Sequence, residues 1–198
     1  FRIMSALPGM RLSVDRDALA VFLERGYPAG SHGIHPEVRR VAPGTLLRVD
    51  LATGAVEERV WWSTIDAMRS ARERPFEGGD ADAIDAVDSA LLRSVRLRML
   101  AEVPVGALLS GGIDSTIIAS VARTLQPSLR TFAAGAEDDA ARPGSGLHTA
   151  RHVARMLGTQ HHETLIGGEL FALTWERLVS EGGHPLCTPN EVAIALLA

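Results

Sequence analysis

The chain has 198 residues, of which 46% are hydrophobic and 22% are charged, and its formal net charge is −4. This composition is typical of a globular protein, and the absence of a basic run argues against binding to nucleic acid or to a membrane surface. No apolar stretch approaches the roughly 20 residues that a membrane-spanning helix needs.

The single cysteine, Cys187, excludes an internal disulfide and suits a reducing compartment such as the cytoplasm. A lone cysteine is most often a small buried thiol, so we expect Cys187 to be buried. The chain begins with Phe1 rather than methionine and stops inside an apolar, helix-forming run at residues 192–197. These ends predict a fragment of a longer protein.

Residues 1–63 are predicted to contain a short helix and a hairpin of two strands. The helix can be capped by Asp15 and ended by Gly26. The strands are predicted at residues 45–50 and 56–61, and the short turn between them is typical of a hairpin.

The composition changes after the hairpin. Residues 64–81 carry few bulky apolar side chains and charges of both signs, which predicts a linker. A long helix then begins at Asp80 or Asp82, with acids in its early turns and arginines in its last, an order that suits the helix dipole. Its predicted buried face consists of Ile84, Val87, Leu91, Val95 and Met99.

From residue 103 onward strands alternate with helices, which predicts an α/β fold with a parallel sheet covered on both faces. The predicted strands cover residues 103–109, 128–136 and 159–166. The first of them is almost wholly apolar and is expected to be buried on both faces. Ligands of such sheets bind beyond the carboxyl ends of the strands, so the loops at residues 110–115 and 134–137 should line one crevice.

The loop after the first of these strands carries the clearest chemical signal. It reads Ser110-Gly111-Gly112-Ile113-Asp114-Ser115 and leads from an apolar strand into an apolar helix. Such a turn presents unpaired N–H groups at the positive end of a helix dipole, an arrangement that binds phosphate. The glycines allow a close approach of the backbone to the anion, and the two serines add hydroxyl donors.

This loop differs from the two commonest phosphate loops. It is shorter than the ATPase P-loop and lacks its lysine, and it lacks the third glycine of the dinucleotide fingerprint. It is similar to Ser-Gly-Gly-x-Asp-Ser, the pyrophosphate loop of the ATP pyrophosphatases, which cleave ATP to AMP and pyrophosphate. The alternative interpretation is a capped strand–helix turn without a ligand.

Nearly all of the chain resembles the glutamine-dependent asparagine synthetases. The strings that carry the resemblance are residues 103–115, 130–132, 150–154, 157–163 and 188–193, with residues 18–27 and 41–47 upstream. The resemblance implies that residues 1–63 are the C-terminal part of an N-terminal-nucleophile glutamine amidotransferase (glutaminase) domain. Residues 64–81 would then be a linker. Residues 82–198 would be a truncated synthetase domain with the adenine nucleotide alpha hydrolase-like fold of the ATP pyrophosphatases.

The implied enzyme is an ATP-dependent, glutamine-hydrolysing ligase that makes asparagine from aspartate through β-aspartyl-AMP. ATP and Mg²⁺ would be required, the partners would be an aspartate-like carboxylate and ammonia from glutamine, and the full-length protein is expected to be a cytoplasmic homodimer. The N-terminal cysteine, the second glycine-rich loop and a later lysine of the family lie outside this sequence. No catalytic residue is therefore assigned, and the fragment alone is expected to be inactive.

The resemblance carries a set of ATP-binding residues onto this chain: Leu109, Ser110, Gly111, Gly112, Asp114, Ser115 and Ala134. The loop would hold the pyrophosphate, and the backbone of Leu109 and Ala134 would meet the adenosine part. Asp114 would also fix the loop or help to bind Mg²⁺.

The sequence departs from the family at residues 133–136, which read Ala-Ala-Gly-Ala where the family more often has Ser-Ile/Val-Gly-Phe/Met. Residues 140–146 also differ from the usual acidic loop, so the acceptor substrate stays open. The alternatives are a β-lactam or other secondary-metabolite amide synthetase of the same fold, and a non-catalytic ATP-binding module. His161 and His162 should face opposite sides of a strand, which favours a structural role over a shared metal.

Overall fold

The computed structural model describes residues 2–27 and 33–198. The helices found in those residues are α1 (Arg2–Ser5), α2 (Arg16–Arg25), α3 (Thr64–Glu73), α4 (Asp80–Arg98), α5 (Ile113–Leu125), α6 (Gly146–Leu157), α7 (Gly168–Gly182) and α8 (Asn190–Leu197), with a 3₁₀ turn at Glu137–Asp139. The strands are β1 (Thr45–Val49), β2 (Val56–Val60), β3 (Gly106–Leu108), β4 (Arg130–Ala136) and β5 (Gln160–Ile166). None of these helices is both long and apolar enough to cross a membrane.

The chain divides into two compact units. One runs to Glu77 and includes Ser180–Cys187, and the other comprises Gly78–Val179 and Thr188–Ala198. The first unit contains the predicted hairpin, in which β1 and β2 pair antiparallel. In its turn the Asp50 carboxylate accepts hydrogen bonds from the backbone N–H groups of residues 52 and 53, at 2.9 and 2.8 Å.

Helix α2 has the boundaries that its sequence predicts. Asp15 Oδ1 accepts hydrogen bonds from the backbone N–H groups of Asp17 and Ala18, at 2.9 and 3.1 Å. Gly26 ends the helix in the left-handed conformation, with φ +77°, and donates its N–H to the carbonyl of Phe22. Both ends are therefore determined by local hydrogen bonds.

The stretch predicted as a linker contains helix α3, which its composition did not indicate. Ser63 Oγ accepts a hydrogen bond from the N–H of Asp66 at 3.2 Å and so caps this helix. None of the α3 residues is buried. Ile65 and Met68 recur at helical spacing but stay exposed, so the prediction from composition missed a helix that both this spacing and the cap at Ser63 indicated. The division between the two units, after Glu77, falls inside the same stretch.

The second unit contains the predicted parallel sheet. Its strand order is β3-β4-β5, with β4 in the centre and Thr131 opposite both Ala107 and His161. Helix α6 packs on one face, where a Cβ on Gly135 would lie 2.7 Å from Leu147 Cδ1. Helix α8 packs against β4 as well, and it lines a cavity with the neighbouring Ala134. Because successive strand residues face opposite ways, α6 and α8 cover opposite faces.

The main core lies between this sheet and helices α5 and α6. Its buried members are Leu109, Ala119, Ala133, Leu147, Ala150 and Ala154. Most of these side chains are alanine, so the two helices approach the sheet closely. The inward face of α6 also includes Val153 and Leu157, which pack against this cluster. A second cluster of Val95, Ala122 and Leu129 joins α4 to α5.

Three burial predictions are wrong in part or in whole. Strand β3 is shorter than residues 103–109, and Leu108 is 55% exposed because it borders the cavity beside α8, a helix that packs on β4 and β5. On α4 only Val95 is buried, while Ile84 and Val87 are 67% and 59% exposed. The cluster with α5 and β4 forms around Val95, near the end of α4, and leaves the first turns uncovered. Cys187 is exposed, and its neighbour Leu186 is buried instead.

Candidate functional site

The Ser110–Ser115 loop follows β3 at the carboxyl end of the sheet. The N–H of Leu109 donates to the carbonyl of Phe132 at 2.8 Å, which extends the pairing of β3 with β4 by one residue. The Leu109 side chain is completely buried in the main core. The chain leaves the sheet at Ser110 and enters α5 at Ile113. The predicted placement of the loop, between a parallel strand and a helix N-terminus, is thus confirmed.

Two serines close this loop on itself. Ser115 Oγ donates to the carbonyl of Gly112 at 3.1 Å and accepts from the N–H of Ser110 at 3.3 Å. The two serine hydroxyl oxygens lie 3.1 Å apart. Because a hydroxyl has one hydrogen and Ser115 gives it to Gly112, Ser110 is the donor between the two. The N–H of Gly112 also donates to Ser110 Oγ, at 3.5 Å. Both hydroxyl hydrogens and the N–H groups of Ser110 and Gly112 are thus used inside the loop, so the donors left for a ligand are the backbone N–H groups of Gly111 and of the first turn of α5.

The first turn of α5 has no side-chain cap. Helices α2, α3 and α6 begin after Asp15, Ser63 and Ser145, and each of these side chains accepts a first-turn N–H. Helices α4 and α8 also begin without a side-chain cap, but neither of them directly follows a strand of the sheet. The matching residue before α5 is Gly112, which has no side chain to accept one. The N–H groups at the start of α5 therefore have no side-chain acceptor within the described residues. Together with the helix dipole they form a site suited to an anion.

The loop packs against the beginning of α6. Gly111 has φ +81°, and a Cβ there would lie 2.8 Å from both Ala150 N and Thr149 Cβ. It would also lie 2.9 Å from the carbonyl oxygen of Gly146. Glycine is required here for two reasons: it tolerates the left-handed backbone conformation, and it has no Cβ to collide with the backbone of α6. The sequence suggested the first reason but not the second, because nothing local places α6 beside the loop.

Asp114 points out of the loop rather than holding it together. Its side chain is exposed, and among the described residues it has neither a hydrogen-bond nor an ion-pair partner. Of the two predicted roles, fixing the loop belongs to Ser115, and the Asp114 carboxylate is left available to a cation. Magnesium is commonly held by one or two carboxylates together with phosphate oxygens and water, so a single aspartate fits. The described residues contain no cluster of three side chains that could hold a metal by itself.

Two adjoining cavities lie at the carboxyl end of the sheet. Leu109, Ser110 and Ala134 line a cavity of about 250 Å³ whose other wall is α8. A second cavity, of about 490 Å³, extends from Ala134 past the 3₁₀ turn to the start of α7, and the two share Asn190 and Ala193 of α8. The other four predicted residues, Gly111, Gly112, Asp114 and Ser115, are not in the lining of either cavity. The contribution of α8 was missed because only the fold brings this helix to the loop.

A polar network lies on the face of the sheet that α6 covers. The hydroxyl of Thr131, which is fully buried, lies 2.8 Å from Thr159 Oγ1 and 3.0 Å from His161 Nδ1. Two residues further along β5, Glu163 receives two hydrogen bonds from Arg151 of α6, at 2.9 Å from Nε and 2.6 Å from Nη2. The network therefore connects β4, β5 and α6.

His162 faces the other side of the sheet, where its ring stacks on Phe132 with the ring centroids 5.3 Å apart. The predicted opposite orientation of His161 and His162 is therefore confirmed. Each ring has its own protein neighbours, which is consistent with structural roles.

Burial and ion pairing shift the pKa values of this network in definite directions. The hydrogen bonds from Arg151 lower the pKa of Glu163, and the same bonds raise the pKa of Arg151. Burial lowers the pKa of His161 and outweighs the attraction of the Glu163 carboxylate. His161 Nε2 lies 3.4 Å from Glu163 Oε1 but makes no hydrogen bond within the described part of the chain.

We expect His161 to make the folded protein less stable in acid. Its pKa lies below the ordinary value of about 6.5 when folded, so between the two values the unfolded chain binds more protons. The contribution of neutral His161 to the free energy of unfolding is fully present above about pH 6.5 and is lost as the pH falls below it. Melting temperatures of the wild type and His161→Asn, measured from about pH 8 to about pH 5, should converge or cross on acidification. A constant difference across that range would contradict this expectation.

These features define a class of protein. A parallel sheet whose first strand leads through a paired-glycine, lysine-free loop into an uncapped helix is typical of α/β proteins that bind a phosphate-bearing ligand at the carboxyl ends of their strands.

Comparison with known proteins identifies the family. The family model for asparagine synthase matches residues 86–198. The chain is 26% identical over 187 residues to asparagine synthetase [glutamine-hydrolyzing] 1 of Bacillus subtilis, covering 94% of this chain and 28% of that protein. It is 36% identical over 122 residues to asparagine synthetase B [glutamine-hydrolyzing] of Escherichia coli, covering 52% of this chain and 21% of that protein. The chain belongs to the asparagine synthase family, and it spans little more than a quarter of the length of the Bacillus relative.

Proposed function

We propose that this chain carries the phosphate-binding part of an ATP-dependent amide ligase that makes asparagine from aspartate and glutamine-derived ammonia. The observation that carries the proposal is the uncapped start of α5 behind Gly111 and Gly112, in a chain of the asparagine synthase family. The names of the Bacillus and Escherichia relatives, which are both glutamine-hydrolysing asparagine synthetases, support the choice of reaction.

In this proposal the backbone N–H groups of the loop and of the first turn of α5 hold the β- and γ-phosphates of ATP. Leu109 and Ala134, which line the smaller cavity, meet the adenosine part through their backbone. The Asp114 carboxylate would hold Mg²⁺, which neutralises phosphate charge when it is bound. Because the loop lacks the lysine of the P-loop, we assign it to a pyrophosphate that departs as one unit. Attack then falls on the α-phosphorus, and the aspartate side chain becomes β-aspartyl-AMP.

The domain assignment is part of the proposal. We assign residues 1–63 to the end of a glutaminase domain, residues 64–81 to a linker and residues 82–198 to the synthetase domain. The division of the chain after Glu77 and the family match from residue 86 support it, whereas Ser180–Cys187, which we assign to the synthetase domain, group with the first unit. So does the similarity to the Bacillus synthetase over 94% of this chain, well beyond the family match. The cytoplasmic location and the homodimer stay predictions from the family.

The bond that is broken in ATP provides the test. When the full gene product turns over ATP with aspartate labelled with ¹⁸O in its side-chain carboxylate, the AMP formed from ATP should carry the label. The label moves because the carboxylate oxygen attacks the α-phosphorus of ATP. Ammonia later attacks the acyl carbon of β-aspartyl-AMP and displaces AMP together with that oxygen. Mass spectrometry of the nucleotide measures it, with unlabelled aspartate as the control. ADP as the product, or AMP without ¹⁸O, would overturn the proposed role of the loop.

A second candidate, an amide synthetase of secondary metabolism with a larger carboxylate acceptor, is favoured by one observation. Ala134 and Ala136 line the 490 Å³ cavity, at positions where bulky side chains are more usual in the family. Exchange of labelled pyrophosphate into ATP distinguishes the two candidates. Exchange that requires aspartate supports the asparagine synthetase, whereas exchange with bulkier carboxylates but not aspartate supports the second candidate. ATP binding without any exchange would leave only the non-catalytic module.

A further inference from the structure

Helix α6 forms the surface on which the phosphate-binding loop rests. Gly111 lies so close to Ala150 and Thr149 that there is no room between them for a methyl group. On the other side of the same contact, a Cβ on Gly146 would lie 3.3 Å from the carbonyl oxygen of Ser110. These are largely contacts of backbone with backbone, which cannot adjust by rotating a side chain. A shift of α6 relative to the sheet would therefore change the shape of the loop directly.

One ion pair anchors this end of α6 to the sheet. Arg151 follows Ala150 in the helix, and its guanidinium binds the Glu163 carboxylate of β5 through two hydrogen bonds. The Glu163 side chain is only 19% exposed and that of Arg151 is 42% exposed, so the pair is partly shielded from water. Glu163 stands opposite Ala133 of β4, which packs with Ala150 in the main core. A bidentate pair fixes orientation as well as distance.

We propose that Arg151 and Glu163 are a positioning pair for the phosphate-binding loop. Neither residue is in the loop or in the lining of the two cavities, so the pair acts through α6 and its contact with Gly111. This inference rests on the proposed function only for the identity of the ligand. The mechanical link from the pair to the loop can be measured without ATP.

The kinetic test uses Arg151→Gln and Glu163→Gln in the full gene product. Each variant should raise the KM for ATP about tenfold and leave kcat nearly unchanged, because a looser loop weakens ground-state and transition-state binding alike. The double variant should be no worse than either single one, since the two residues act as a unit. Arg151→Lys keeps the positive charge but loses the two parallel hydrogen bonds of the guanidinium, so its KM for ATP should lie between those of wild type and Arg151→Gln. If the glutamine variants do not fold, this variant provides the test.

The matched control is Arg123→Gln. Arg123 of α5 donates from Nε to the carbonyl of Leu157 at 3.1 Å, which joins α5 to the C-terminal end of α6, away from the loop. This variant removes an arginine and a contact of α6 without touching the end that supports the loop. It should lower the melting temperature and leave the KM for ATP at the wild-type value.

Hydrogen exchange of the ATP-free protein separates this inference from the proposed function. The backbone amides of Leu109, Ser110 and Thr116 are hydrogen-bonded at the loop, to Phe132 O, Ser115 Oγ and Gly112 O. These amides and those of residues 149–154 should exchange faster in Glu163→Gln than in wild type, and Arg123→Gln should not speed exchange at the three loop amides. Unchanged exchange at Leu109, Ser110 and Thr116 in Glu163→Gln, or an equal rise in KM for ATP with Arg123→Gln, would overturn the positioning pair. A wild-type protein without ATP turnover would instead remove the proposed function, and the exchange result would still decide the inference.

Discussion

Replacing Gly111 with alanine should abolish ATP-dependent turnover and lower the free energy of unfolding by about 2–4 kcal/mol. Two penalties add at this position. A left-handed backbone conformation is unfavourable for alanine, and the new methyl group would meet backbone atoms of α6 at 2.8 to 2.9 Å. Because neither backbone can rotate away, the loop must move from its place at the start of α5. Denaturant unfolding and AMP formation by the full gene product measure the two effects.

Gly144→Ala is the matched control. Gly144 has nearly the same φ, +79°, but a Cβ there would have no neighbour within 4 Å. Only the backbone penalty applies, so we expect a loss of about 1–2 kcal/mol in unfolding free energy and retained turnover. Equal losses of stability in the two variants would show that contact with α6 does not constrain the loop.

Asp114→Ala should have the opposite profile, with a large loss of activity and little change in stability. The carboxylate is exposed and without a partner among the described residues, so its removal should change the free energy of unfolding by less than about 0.5 kcal/mol. Pyrophosphate release should fall by about 100-fold or more, since the transition state loses a group that organises phosphate charge. Any glutaminase activity should persist, because the residue lies in the part of the chain that we assign to the synthetase domain.

A change of charge elsewhere on the surface is the control for this variant. Asp85→Ala removes an exposed aspartate of α4 and alters the net charge equally. It should leave pyrophosphate release at the wild-type rate. Unchanged release by Asp114→Ala would remove Asp114 from the proposed site, and a loss of stability as large as that of Gly111→Ala would indicate a structural role.

The features predicted correctly are those that short stretches of sequence decide. The cap of α2 at Asp15, its end at Gly26 and the hairpin of β1 and β2 depend on hydrogen bonds between residues a few positions apart. The alternation of strands and helices after residue 103 predicted the parallel sheet. Paired glycines between an apolar strand and an apolar helix predicted the loop, because an uncapped helix start is itself a local feature.

Only the tertiary structure determined the contacts between distant parts of the chain. The support of Gly111 by α6, the bond from Arg151 to Glu163 and the place of α8 in the crevice depend on how helices pack on the sheet. The exposure of Ile84 and of Cys187 was not predicted, for the same reason. Local periodicity shows which face of an element is apolar, but not which neighbour covers it. Such contacts arise from the register and packing of whole elements, for which the sequence contains no short-range signal.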